Sequence, residues 1–255
     1  MHKNQKERLE EILAEEVFIA GPCSIEDRDQ VFRIGKKLKD RGIKIIRGGA
    51  YKPRTSPDSF QGIGKRGLDY LRDLKKEEGL FVVSEIVDPR HLDFFEGIDI
   101  LQVGTRNMQN YELLKELGKT DKYILLKRGM GSTLEEFIQS AKYISSMGND
   151  KIILCERGIR TFENSTRYTL DISSIPILKE RTPYKVIVDP SHATGIARYV
   201  SPVALAGIAA GADGFIIEVH DKPEEALTDK DQAILPEELE PIIDKSREIK
   251  RIIEG

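Results

Sequence analysis

Four side chains of this 255-residue sequence carry the chemistry of a metal centre: Cys23, His192, Glu218 and Asp229. A thiolate, an imidazole and two carboxylates suit a borderline divalent ion such as Zn, Mn, Fe or Co. Their spacing forms no compact CxxC or HExxH motif, so a fold has to bring them together. The plainer readings are a small buried hydrophobe for Cys23 and a satisfied polar residue near a turn for His192. A second set is cationic: Arg47, Lys52, Arg54, Arg106, Lys127 and Arg157. Guanidinium forks match phosphate and carboxylate oxygens bidentately, and lysine adds a point charge. Six converging cations exceed the needs of one monoanion. They point to two phosphate groups, or to a phosphate and a carboxylate. The alternative is a set of exposed loop charges held in ion pairs.

The elements that must position these groups recur along the chain. Short apolar, β-branched runs stand at 17–21, 43–48, 80–85, 99–104, 123–128, 151–156, 184–189 and 214–219. Each is nearly continuous in apolar residues, as expected of strands buried on both faces. Amphipathic stretches separate them, with helices predicted over 27–41, 65–78, 110–117, 133–147, 202–210 and 236–253. Asp88-Pro89 and Ser201-Pro202 read as helix starts, a capping residue followed by proline. Eight strands alternating with helices in this length predict a single-domain α/β fold, a (β/α)8 TIM barrel. An open doubly wound sheet fits strand number and length less well. Residues 1–16 precede the first strand and can form one helix at the barrel bottom; 17–255 make the barrel, which is expected to be the catalytic unit if the two sets of residues converge. In such barrels chemistry sits at the C-terminal strand ends, where both sets of residues fall. Strands one, seven and eight become neighbours on closure, which lets Cys23, His192, Glu218 and Asp229 meet. His220 alternates with Glu218 and is expected on the same face, and Cys155 lies within a strand as core.

Composition excludes several other classes. Forty basic against 43 acidic residues give a net charge of −3, without the basic footprint of a nucleic-acid binder. Two distant cysteines make no disulfide framework, which favours a reducing, cytoplasmic setting. No apolar run approaches the roughly 20 residues of a membrane helix, and the charged N-terminus has no signal-peptide core.

Several motifs then stand in order on successive strand ends. They are Gly-Pro-Cys-Ser (21–24), Lys-Pro-Arg-Thr-Ser (52–56), Gly-Thr-Arg-Asn (104–107), Glu-Arg-Gly (156–158), Asp-Pro-Ser-His (189–192) and Glu-Val-His (218–220). Together the chain resembles, from about residue 16 to 250, the enzymes that condense phosphoenolpyruvate with aldose phosphates. The nearest resemblance is to type I-beta 3-deoxy-D-arabino-heptulosonate 7-phosphate (DAHP) synthases, which open the shikimate route to aromatic amino acids. The resemblance implies that Cys23, His192, Glu218 and Asp229 ligate a divalent metal, with Asp231 a near competitor for the last position. It implies that Arg106, Lys127 and Arg157 hold the phosphate of phosphoenolpyruvate, with Arg47 and Lys52 near its carboxylate and bridging region. Arg54 and Thr55 would take the phosphate of the aldose, and Lys52, Cys23 and His192 would be catalytic. C3 of phosphoenolpyruvate would attack the aldehyde of erythrose 4-phosphate, water would add at C2, and phosphate would leave.

In the related 3-deoxy-manno-octulosonate 8-phosphate synthases, which use arabinose 5-phosphate, the loop reads Lys-Ala-Asn-Arg-Ser/Thr-Ser. Pro53-Arg54 therefore favours the four-carbon aldose. Some members of that branch carry Asn at the Cys23 position and need no metal, so Cys23 predicts metal dependence. A non-catalytic barrel that binds phosphometabolites would use the cations equally well but has little need of the metal quartet. The resemblance further suggests a homotetramer. The sequence offers no dedicated regulatory domain, so inhibition by aromatic amino acids is not expected.

Overall fold

The computed structural model describes residues 4–53 and 56–254. Helix α1 (Gln5–Glu15) opens with a capping box in which Asn4 and Glu7 satisfy each other's backbone N–H groups. Strand β1 (Val17–Gly21) leads to α2 (Arg28–Lys39), capped by the Asp27 carboxylate, which accepts from the Gln30 N–H. Next come β2 (Ile45–Arg47), α3 (Lys65–Glu78) and β3 (Phe81–Glu85). A 3-10 segment, Pro89–Phe95, replaces the third crossover helix. The chain continues through β4 (Ile100–Val103), α4 (Tyr111–Gly118), β5 (Tyr123–Lys127) and α5 (Leu134–Ser145). It ends with β6 (Ile152–Glu156), α6 (Ser174–Arg181), β7 (Lys185–Val188), α7 (Pro190–Thr194), α8 (Ala197–Ala209), β8 (Gly214–Glu218) and α9 (Pro236–Glu254). All strand pairs are parallel, and β8 returns to β1 with Val17 opposite Gly214, which closes a (β/α)8 barrel.

Strand side chains alternate between two apolar clusters. Phe18, Ala20, Ile46, Val82, Leu101 and Leu126 pack outward against the helices. Ile19, Ile45, Val83, Ile100, Leu125, Ile153, Cys155, Ile187 and Ile216 fill the interior. Burial on both sides explains the continuous apolar runs. Leu9 and Leu13 of α1 join the interior cluster and stop the barrel at its N-terminal mouth.

The interior columns change character at the other mouth. Two residues beyond an interior apolar residue stand Arg47, Glu85, Gln102, Lys127, Arg157, Asp189 and Glu218. The period of two keeps them pointing inward, so the end of each apolar column becomes one wall of a charged site. Closure here demands glycine: a Cβ on Gly21 (φ +151°) would lie 2.1 Å from the Arg47 carbonyl oxygen, and one on Gly104 would lie 2.0 Å from Glu85 Oε1.

Two expectations change. Asp88-Pro89 does start a helix, with the Asp88 side chain accepting from the Arg90 N–H, but Ser201-Pro202 does not. Helix α8 begins at Ala197 and carries Pro202 internally, where it gives up one backbone hydrogen bond. Helices α6 and α7 are unpredicted additions. The first has Pro176 in its first turn and buries few apolar side chains, and the second is a single turn, so neither leaves a helical period to read.

Candidate active site

The Asp189 cap creates the first part of the site. Its Oδ1 accepts from the His192 N–H (2.9 Å) and starts α7, with Pro190 at the first position. Its Oδ2 accepts from His192 Nδ1 at 2.7 Å and from Lys127 Nζ at 2.5 Å. Although burial opposes ionisation, His192 and Lys127 hold the Asp189 carboxyl far below its ordinary range. With Nδ1 engaged, His192 turns Nε2 toward Glu218 Oε1, 3.2 Å away. Burial lowers the His192 pKa despite the neighbouring carboxylates, so the ring is neutral near neutrality and presents a lone pair.

Cys23 follows β1, and its carbonyl oxygen accepts from Arg47 Nη2 (3.1 Å) and Lys52 Nζ (3.2 Å). Its thiol donates to Asp229 Oδ2 at 3.0 Å. Burial, followed by the charges of Glu218 and Asp229, pushes this thiol up to about 12. Even with Arg47 and Lys52 beside it, Cys23 therefore stays protonated in the metal-free site. Glu218, wholly buried, keeps Oε1 without an aligned donor, while Oε2 accepts from Gln232 Nε2 at 2.5 Å.

Potential ligand atoms of Cys23, His192, Glu218 and Asp229 all lie within 4.8 Å of one another. The donor set passes the test for a divalent ion on its own chemistry. It offers a thiol that needs a metal ion to ionise, a neutral imidazole fixed through its other nitrogen, and a carboxylate oxygen that no aligned hydrogen-bond donor occupies, with the Arg47 guanidinium 3.1 Å away. The structure thus brings the four sequence-selected residues together. His220 stays apart: after β8, Val219 pairs with Ile234, and His220 turns its Nε2 to within 3.1 Å of the Gln30 amide on α2.

Beside the quartet lies a cavity of about 260 Å³ whose walls include Arg47, Lys52, Arg106, Lys127, Arg157 and His192. Arg47 and Lys52 are buried, as are Lys127 and Arg157, while Arg106 stands exposed at the rim on the 3-10 turn Thr105–Asn107. Lys127 shares its charge with Asp189, and Arg47 lies 3.1 Å from Glu218. Lys52 and Arg157 have no carboxylate partner within 4.0 Å among the described residues. Arg157 instead lies over the Tyr168 ring at 4.1 Å. Its Nη1 is a buried donor without an acceptor, as are Arg47 Nε and Nη1. Buried donors left unpaired cost free energy until an anion arrives, so the cavity is built for one. Burial lowers the Arg157 pKa, which reflects the same unmet demand. Arg54 and Thr55 lie outside the described residues.

Arg128, next to Lys127, plays a different part: it holds Glu156 and Asp171, each at 2.8 Å. The sequence reading assigned no part to Asp189, Tyr168, Arg167 or Gln232. Asp189 had a signal, its place two residues beyond Ile187. Tyr168 and Arg167 had none, because they enter on a loop that folds back through the Ile159–Thr169 bridge.

Comparison with known proteins agrees with this arrangement: the profile of the DAHP synthetase I family matches residues 14–254. The chain belongs to that family. A phospho-2-dehydro-3-deoxyheptonate aldolase of Thermotoga maritima is 51% identical over 217 residues, which is 85% of this chain and 64% of the relative. The chain thus spans slightly under two thirds of that protein's length. A 2-dehydro-3-deoxyphosphooctonate aldolase of Syntrophobacter fumaroxidans is 31% identical over 92% of this chain and 87% of its own length. The crystal structure of the Thermotoga maritima DAHP synthase superposes with a TM-score of 0.90 at 47% identity, covering 93% of this chain and 70% of that one. A truncated form of the same organism's enzyme gives 0.86 at 43% identity, covering 93% and 87%. No helix among the described residues is long and apolar enough to cross a membrane.

Proposed function

We propose that this chain is a metal-dependent DAHP synthase that condenses phosphoenolpyruvate with erythrose 4-phosphate, releasing phosphate. The observation that carries the reading is the adjacency of a four-donor cluster, two of its members buried, and a cavity walled by under-partnered cations. The relatives' names support the choice of aldose. The Thermotoga deoxyheptonate enzyme is 51% identical to this chain, whereas the Syntrophobacter octonate enzyme is 31% identical.

Residues 1–16 are then an N-terminal helical extension and 17–255 the catalytic barrel. Cys23, His192, Glu218 and Asp229 hold the metal, whose identity among Mn, Fe, Zn and Co their chemistry leaves open. When bound, it supplies a Lewis acid that polarises the aldehyde oxygen. Arg106, Lys127 and Arg157 take the phosphate of phosphoenolpyruvate, and Arg47 and Lys52 its carboxylate side. Arg54 and Thr55 take the aldose phosphate. At physiological pH the two substrates together bring about four to five negative charges, which repel until fixed cations hold them. Lys52, buried against the Cys23 carbonyl, is placed to hold or deliver a proton at the reacting end of the cavity. The resemblance also leads us to expect a cytoplasmic homotetramer, which sedimentation would register as four chains.

The substrate assignment is tested by phosphate release from phosphoenolpyruvate with each of two aldoses. Erythrose 4-phosphate should give the higher kcat/KM. Equal or better turnover with arabinose 5-phosphate would overturn the assignment.

A further inference from the structure

We infer that Gln232 and Arg167 are positioning residues that brace the two carboxylate donors, Glu218 and Asp229, from behind; the inference rests on the metal reading proposed above. Gln232 is 2% exposed. Its Nε2 donates to Glu218 Oε2 at 2.5 Å, and its Oε1 accepts from Arg167 Nη1 at 3.0 Å. The same Arg167 nitrogen reaches Asp229 Oδ1 at 3.3 Å. The amide therefore lies between a carboxylate on one side and a guanidinium on the other. Turned over, it would set a carbonyl against the carboxylate and an N–H against the cation, so its orientation is fixed by charge.

The brace decides which oxygens reach the centre. With Oε2 of Glu218 taken by Gln232, Oε1 is the oxygen that faces His192 Nε2, with Arg47 Nη1 3.1 Å from it on the cavity side. With Oδ1 of Asp229 taken by Arg167, Oδ2 is left to face the Cys23 sulfur. Each carboxylate is thereby held to offer one oxygen.

The local backbone shows how one loop does both tasks. Asp229 has φ +52° and ψ +35°, the only left-handed non-glycine among the described residues. From there the 3-10 turn Lys230–Gln232 starts, closed by the Gln232 N–H donating to the Asp229 carbonyl at 3.2 Å. Residues three apart on such a turn share a side. The Asp-x-x-Gln spacing thus delivers a donor at 229 and a support for another donor at 232. Gln232 does not line the cation-walled cavity. It borders a separate space of about 380 Å³ behind Asp229, so its effect is exerted through the donors and not on substrate, whereas Arg167 borders both spaces and Gln232 is therefore the cleaner test.

Cobalt(II) binding to the full chain tests this. The parent should show a thiolate-to-cobalt absorption band that Cys23→Ala abolishes. Gln232→Met keeps the volume and removes both hydrogen bonds. It should weaken cobalt binding roughly tenfold to a hundredfold, the range for lost supports of metal ligands, and shift the band. The melting temperature of the metal-free protein should fall modestly, because Glu218 Oε2 is left buried without its donor, so the shifted cobalt band, which a loss of stability alone does not produce, carries the test. Arg167→Met, at the more exposed end, should give a smaller loss in the same direction. Lys230→Gln, on an exposed neighbour in the same turn, should leave affinity and spectrum unchanged. Parent-like affinity and spectrum in Gln232→Met would overturn the brace while leaving the metal reading standing. A parent without the Cys23-dependent band would instead overturn the metal reading, and the brace with it.

Discussion

Arg157 shows how much a single residue can demand. Its guanidinium is buried, has no carboxylate partner among the described residues, and rests on Tyr168 with Nη1 unpaired. Charge-assisted hydrogen bonds contribute about 1.5–3 kcal/mol. Arg157→Met should therefore lower kcat/KM for phosphoenolpyruvate roughly tenfold to a hundredfold. Because the substitution removes a buried, under-partnered charge, the same variant should not lower the melting temperature. A destabilised variant with normal kinetics would contradict the role. At Cys23 the sign of the pH effect follows from the thiol. Burial and anionic neighbours raise its pKa to about 12 in the metal-free site, so metal must displace a proton. Neutral His192 has no proton to lose near neutrality. Metal affinity should then rise with pH, about tenfold per unit across the neutral range for one proton released. A pH-independent dissociation constant from competition titrations would count against Cys23 as a ligand.

Strand ends decide what the sequence makes legible. The period of two that buries Ile19, Ile187 and Ile216 also aims Arg47, Asp189 and Glu218 into the site, so apolar runs located both the barrel and most of its charged rim. His220 obeys the same arithmetic and still misses, because β8 ends at Glu218 and pairing with Ile234 redirects the chain. Gln232, Arg167 and Tyr168 could not be read in advance, since they reach the site on irregular loops whose course depends on tertiary contacts. Pro202 was misread for a related reason: a proline favours a helix start, yet packing of α8 carried the helix back to Ala197. Element geometry also sets a test at Gly21. A Cβ there would lie 2.1 Å from the Arg47 carbonyl at a positive φ. Gly21→Ala should cost about 1–3 kcal/mol, read by thermal melting. A neutral substitution would mean that β1 and β2 have more room than the barrel shows.

Across the whole molecule, stability and chemistry occupy opposite mouths. Leu9 and Leu13 of α1 close the N-terminal mouth, far along the barrel from the cations. Leu13→Ala should destabilise the fold by about 2–5 kcal/mol, the cost of a large-to-small core change, while KM for both substrates stays as in the parent. Altered KM without loss of stability would show that the two ends are coupled. A net charge of −3 conceals the arrangement that matters, a small set of cations gathered beside four side chains able to ligate a metal. The measurement that bears most directly on that arrangement is phosphate release from phosphoenolpyruvate and erythrose 4-phosphate by the purified chain, before chelation, after it, and after a divalent metal is returned. Chelation should abolish turnover and the returned metal should restore it. Full turnover in the chelated protein, or none with metal restored, would contradict it.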